Sequence, residues 1–148
     1  MSARRYTYPA RLEPDEDGRP VVHFPDLPEA LTDGADEPEA LVEASDCLSE
    51  APAGRIHRRE NIPIPSPLQP GMHAIEPDPT IALKAALYDA LRTAGIGFGD
   101  LAIRLGIEER QAMKLIDPKT RASLTKLEEA LSALGYTIGI EVRGRLVA

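Results

Sequence analysis

Arg110, Met113 and Lys114 stand three and four residues apart within GIEERQAMKLI, residues 106–116. At 3.6 residues per turn this spacing gathers them, with Glu109, on one side of a helix, opposite Ile107, Ala112 and Leu115. A short helix with that outward face has the chemistry of a base reader: arginine and lysine donate to guanine O6 and N7, and a carboxylate can accept from the cytosine amino group. Just upstream, Phe98, Leu101, Ala102 and Leu105 share one face, and Gly106 separates the two segments. A helix-turn-helix needs a small residue where its helices cross, a turn residue free to take positive φ, and apolar residues that lock the reading helix in place. Ala102, Gly106 and the Leu101, Leu105, Ile107, Ala112 and Leu115 set meet those needs. Lys119, Arg121 and Lys126 follow as phosphate contacts. Glu108 and Glu109 work against this reading, because carboxylates at the front of the helix repel phosphates. A plain helical hairpin within a small bundle has the same pattern.

Catalytic chemistry has no comparable pattern. His23, His57 and His73 are scattered, with no i, i+4 pair to hold a metal. There is no glycine-rich phosphate loop, no G-x-S-x-G, and no cysteine beside a recognisable base. Cys47 is the only cysteine, so an intrachain disulfide and a cysteine-based zinc site are excluded and a reducing compartment fits. It lies next to the stripe Leu41, Ala44, Leu48 and Ala51, as a small core residue would. No cofactor or metal is expected. Nor is a membrane span or a secretion signal, since no apolar run is long enough for either.

Charge divides the chain. Residues 1–70 hold 14 acids against 7 bases, whereas residues 79–148 hold 8 acids against 10 bases. The first part repels nucleic acid and attracts a cationic partner; the second can approach phosphates. Six carboxylates crowd into VVHFPDLPEALTDGADEPEAL, residues 21–41, among them Asp26, Glu29, Asp33 and Asp36.

The elements that would carry these residues follow from periodicity. Residues 6–13 and 21–24 are β-prone and read as a hairpin, with a third short strand at Leu31 and Thr32. Asp36 and Glu39 form a capping-box pair that starts a helix, with Pro38 in the first turn. Pro52 should kink that helix or end it near Glu50. NIPIPSPLQPG, residues 61–71, reads as an extended, proline-rich linker, and residues 72–76 as one more strand. Helical spacing covers residues 80–94, 98–105 and 107–116, then a helix opened by the Thr125 and Glu128 capping pair and ended at Gly135. Residues 136–147 are β-prone.

The opening region closely resembles the HicB antitoxin family, whose pattern is a strand ending in F-P-D-L-P, a T-x-G step, and a helix beginning near E-A. Here these are Phe24, Pro25, Asp26, Leu27 and Pro28, then Thr32 and Gly34, then Glu39 and Ala40. The resemblance spans residues 6 to about 76, and a C-terminal helix-turn-helix is one of the family's arrangements. It implies an α+β chain: a partial RNase H-like domain ordered strand-strand-strand-helix-strand over residues 1–76, then a mainly α helix-turn-helix domain over residues 77–148. It returns residues 72–76 to the first sheet, which would make the proline-rich run an internal loop. It also implies two partners, a HicA-like toxin, which is a small basic ribonuclease, and the operator DNA of the chain's own operon.

The expected function is therefore that of a cytoplasmic, non-enzymatic antitoxin that occludes its toxin and represses transcription. Toxin contact falls to Asp26, Glu29, Asp33 and Asp36, and DNA contact to Glu109, Arg110, Met113, Lys114, Lys119, Arg121 and Lys126. One reading helix covers too few base pairs for operator specificity, so a homodimer or homotetramer is expected, joined through residues 136–147 or the helix near Thr125. Two rival readings are a stand-alone transcriptional regulator with a sensing or oligomerising N-terminal part, and a nuclease built on the RNase H-like scaffold.

Overall fold

A computed structural model describes residues 3–144. Four strands and five helices succeed one another as β1 (Tyr8–Pro14), β2 (Pro20–His23), β3 (Leu31–Asp33), α1 (Glu37–Arg58), β4 (His73–Ile75), α2 (Pro79–Ala94), α3 (Phe98–Leu105), α4 (Glu109–Lys114) and α5 (Leu124–Ala133). The chain is α+β, an antiparallel sheet with one helix followed by a helical region.

The hairpin forms because the turn supplies its own bonding: the Asp15 carboxylate accepts from the backbone N–H of Asp17 at 2.9 Å and of Arg19 at 2.8 Å. Arg11 then pairs with His23 and Pro14 with Pro20. β3 joins the outer edge of β2, and β4 returns to pair with β1, Tyr8 opposite Ile75, giving the order β3-β2-β1-β4. Residues 73–75 therefore belong to the first sheet. The run at 61–71 is accordingly no free linker. The Tyr8 hydroxyl donates to Pro63 O at 2.6 Å, the Asp26 carboxylate holds Ser66, and Ile62 is buried, so a segment that composition makes stiff is also tied down.

α1 lies against the sheet through Ala40, Ala44, Leu48 and Ala51, the three alanines allowing close approach and Leu48 filling the core between them. The tightest point is Gly34, where a Cβ would sit 2.4 Å from Ala40 N and 2.7 Å from Ala40 Cα. Only glycine fits there. Pro52 does not end α1, which runs on to Arg58. Proline in a helix interior costs about 3 kcal/mol, but the turns beyond it bury Ile56 and bring Arg55 to Glu29. Tertiary contact outweighs the local penalty.

Two clusters of buried side chains result. The first includes Tyr8, Val22, Phe24, Leu27, Leu48 and Ile75; the second includes Leu87, Leu91, Leu101, Leu115, Leu127 and Leu131, gathered between α2 and α5. A third and smaller one, Ile56, Ile62, Ala85 and Tyr88, joins them. Around it the Tyr6 hydroxyl donates to Asp89 at 2.7 Å, and the Tyr88 hydroxyl to Glu60 O at 2.8 Å.

α3 ends at Gly106, whose φ of 66° lets its N–H and that of Ile107 cap the helix through Ile103 O and Ala102 O. α5 begins two residues earlier than the Thr125 and Glu128 pattern predicts, because the Ser123 hydroxyl accepts from Lys126 N at 3.2 Å. Residues 136–144 form no strand, since a β-prone segment needs a paired neighbour and this one has none among the described residues. The rest of that segment, residues 145–147, lies outside the described residues. Within 3–144, no helix is long and apolar enough to cross a membrane.

Candidate functional site

α3 and α4 pack on one another across Gly106 through Leu101, Ala102, Ala112 and Leu115, all buried. Burying that side leaves Glu109, Arg110, Met113 and Lys114 exposed on α4. Glu108 and Glu109 have a local use. Glu108 is the N-cap of α4, its backbone N–H donating to Gln111 Oε1 at 3.1 Å, and carboxylates in a first turn favour the positive end of the dipole. Glu109 also turns back beside Gly99 at the start of α3.

The remaining cations approach from two sides of Lys114. On one side Gln111, Lys114, Arg121 and Lys126, with the one carboxylate Glu129, line a depression of about 350 Å³. On the other, Arg110, Met113 and Lys114 line a groove of about 660 Å³ whose far wall comes from α1 and α2. Glu109 and Lys119 line neither. Among the described residues, no carboxylate lies within ion-pair distance of Arg110, Lys114, Lys119, Arg121 or Lys126.

Sequence reasoning missed the residue that fixes this loop. Lys84, on α2, is 1% exposed, and its ammonium donates to Asp117 O at 2.6 Å and to Thr120 O. The Asp117 carboxylate in turn accepts from Lys119 N at 2.9 Å and the Thr120 hydroxyl at 3.1 Å, which holds it below the usual carboxylate range. Burial lowers the Lys84 pKa from the ordinary lysine value. The signal was present: Lys84, Leu87 and Leu91 share one stripe of α2, so the lysine had to be buried or break the packing.

The four acids expected to meet a partner all have intrachain partners. Asp26 accepts from Ser66 N at 2.8 Å and from its hydroxyl at 2.5 Å. Glu29 takes both arms of Arg55, at 2.6 and 3.0 Å, and that fork holds its carboxyl below the ordinary range. Asp33 meets Arg19 at 3.3 Å in a pair that is about half exposed, and Asp36 caps α1 through Glu39 N at 2.9 Å. The uncompensated acids lie elsewhere. Glu39, Glu43, Asp46 and Glu50 are exposed along α1 at i, i+4, i+7 and i+11, with no cation within ion-pair distance among the described residues. Val42, 61% exposed, interrupts this ridge, and that helical spacing is readable in the sequence. Within residues 3–144, no three His, Cys, Asp or Glu side chains gather closely enough to hold a metal ion.

The family described as the HicB-like antitoxin of bacterial toxin-antitoxin systems matches residues 7–86, just over half of the chain. Antitoxin HicB of Escherichia coli (strain K12) is 33% identical over 133 residues, covering 90% of this chain and 96% of that protein. Antitoxin HicB 1 of Photorhabdus laumondii subsp. laumondii is 30% identical over 135 residues, 91% of this chain and 86% of that protein. A further antitoxin HicB, from Pseudomonas fluorescens (strain Pf0-1), is 28% identical over 129 residues, 86% of this chain and 88% of that protein. These proteins are named antitoxins, consistent with a non-enzymatic role. The family match over residues 7–86, together with relatives at 30% and 33% identity across most of both chains, identifies the chain as a member of the HicB-like antitoxin family of bacterial toxin-antitoxin systems.

Proposed function

We propose that this antitoxin neutralises a HicA-like toxin, a small basic ribonuclease, by covering its cationic RNA-binding face, and that it represses its own operon by binding operator DNA. Residues 1–76 carry the first task and residues 77–148 the second, in the bacterial cytoplasm. The observation that carries the reading is the separation of unpaired charge: an acidic ridge on α1, and a basic face around α4. Opposite charge steers the two proteins together and excludes the phosphates the toxin needs. Toxin contact is assigned to Glu39, Glu43, Asp46 and Glu50, with Val42 as an apolar anchor and Asp33 at the edge. Asp26, Glu29 and Asp36 join only by giving up bonds that hold the fold.

On the DNA side, α3, Gly106 and α4 act as a helix-turn-helix. Arg110, Met113 and Lys114 face base edges, with Glu109 at their border, while Lys119, Arg121 and Lys126 hold phosphates. A two-fold dimer presents two such helices to half-sites about 34 Å apart. Ile140 and Val142, 76% and 89% exposed at strand spacing, supply the contact for a homodimer or homotetramer.

Co-expression with the small reading frame beside its gene tests the first task. The expected result is a stable complex and rescued growth. A toxic neighbour that neither binds nor is silenced would remove the toxin assignment. Titration of promoter duplex tests the second, and binding no tighter than to a scrambled duplex would remove it.

A further inference from the structure

The groove between α4 and the N-terminal half is lined by His57 and Arg59 from the end of α1, Arg92 from α2, and Arg110 and Lys114 from α4. Five basic side chains therefore converge on one depression built from both halves of the chain. Its one carboxylate, Asp117, is occupied by Lys119 N and the Thr120 hydroxyl. We infer that this groove is a second phosphate-binding segment of the DNA interface, in which His57, Arg59 and Arg92, outside the α3 and α4 unit, grip the duplex backbone beside the bases that α4 reads.

Arg59 carries most of the argument. Three arginines end α1, and two are neutralised: Arg55 by Glu29 at 2.6 Å, Arg58 by Glu60 at 2.7 Å. Among the described residues, no carboxylate lies within ion-pair distance of Arg59. It also occupies the left-handed conformation, φ 57° and ψ 39°, and is the one described residue other than glycine that does so. Glycine takes that C-terminal position without strain, so the arginine places a charge there at a backbone cost that glycine would avoid. Arg92 is held in place by Asn61 Oδ1 at 2.7 Å and the Tyr88 hydroxyl at 3.1 Å, its guanidinium over the Tyr88 ring. The buried Ile56, Ile62, Ala85 and Tyr88 cluster holds the end of α1 beside α2, so the backbone positions from which these cations extend are set by the fold. Cations flanking a reading helix suit the phosphates of a duplex backbone.

This inference rests on the DNA-binding reading above, and its test separates the two. Full-length protein is titrated with a duplex of the promoter preceding its own gene, and with a scrambled duplex of equal length, across a series of salt concentrations. Arg59→Gly removes the charge and suits the backbone, so it is expected to fold at least as well as the parent. It should weaken binding to both duplexes alike, several-fold, and flatten the salt dependence by about 0.9 in log Kd against log salt, the signature of one lost phosphate contact. His57→Gln should weaken both duplexes without altering preference, whereas Arg110→Ala should reduce the preference for promoter sequence. Arg11→Ala, on the sheet, controls for net charge and should leave the slope unchanged. If Arg59→Gly behaves like Arg11→Ala while Arg110→Ala still impairs binding, the groove inference falls and the DNA reading stands. If the parent protein does not prefer its promoter, both fall.

Discussion

The acidic and basic regions use charge in opposite ways. In the N-terminal half, Asp15, Asp26, Glu29 and Asp36 are bound to backbone, hydroxyl or guanidinium groups of the same chain, so they hold turns, loops and a helix end in place. Around α4, among the described residues, Arg110, Lys114, Lys119, Arg121 and Lys126 have no ion-pair partner, and the local structure is held by apolar contacts, the buried Lys84 and the caps at Asp117, Gln111 and Ser123. The turns and loops around the sheet use these polar groups for their own structure, whereas the helical cluster, closed by leucines, leaves its cations exposed. Local charge density therefore does not separate the acids bonded within the chain from those left exposed after folding.

Breaking the sheet side should have the largest effect. Gly34→Ala drives a Cβ into the backbone of α1 and is expected to lower unfolding free energy by about 3 kcal/mol or more, read by chemical denaturation. Backbone cannot yield as a flexible side chain does. Next comes the one charged residue that the helical side does bury: Lys84→Met strips two carbonyls of their donor, costing about 1–3 kcal/mol, and should loosen residues 117–123, visible as faster amide exchange there and weaker promoter binding.

The third test sets two acids against each other. Glu29→Gln should cost about 1 kcal/mol of stability and Glu43→Gln almost none, while Glu43→Gln should slow association with the toxin more, most visibly at low salt. pH sharpens the contrast. Arg55 holds the Glu29 carboxyl below its ordinary value of 4.5, so the pair's stabilisation is complete above about that pH and is lost as pH falls through the lower folded value. The parent's stability should decline over that acidic window more steeply than that of Glu29→Gln, by thermal unfolding in matched buffers. The smallest effect is expected from Asp33→Asn, whose pair with Arg19 is half exposed and worth about 0.5 kcal/mol or less.

Much of the fold is legible in local patterns. Alternation and turn chemistry mark the β1 and β2 hairpin, Asp36 marks the start of α1, and Gly106 separates α3 from α4, because each depends on residues within a few positions of one another. Pro52 misleads for the same reason: its penalty is local, and what outweighs it, Ile56 against Tyr88 and Arg55 against Glu29, comes from distant parts of the chain. Ser123 instead of Thr125 capping α5 is a two-residue error of the kind that adjacent hydroxyls invite. The basic residues of the candidate interface were identifiable because exposure on α4 follows from helical period. The acids were not separable into structural and available ones, since Ser66 lies 40 residues from Asp26, and Arg55 lies 26 from Glu29.

By itself the sequence determined the order of strands and helices, the glycine and aspartate positions that start and stop them, and the excess of acid before residue 70. Those properties are set by backbone sterics, hydrogen-bond reach and composition, all of which act over a few residues. Which carboxylates stay free, that a proline-rich run packs down, that Lys84 is buried, and that Arg59 faces the same groove as Arg110 were decided by tertiary structure alone. Each depends on bringing together groups far apart in the chain, and only burial of the joined hydrophobic clusters supplies the free energy to do so.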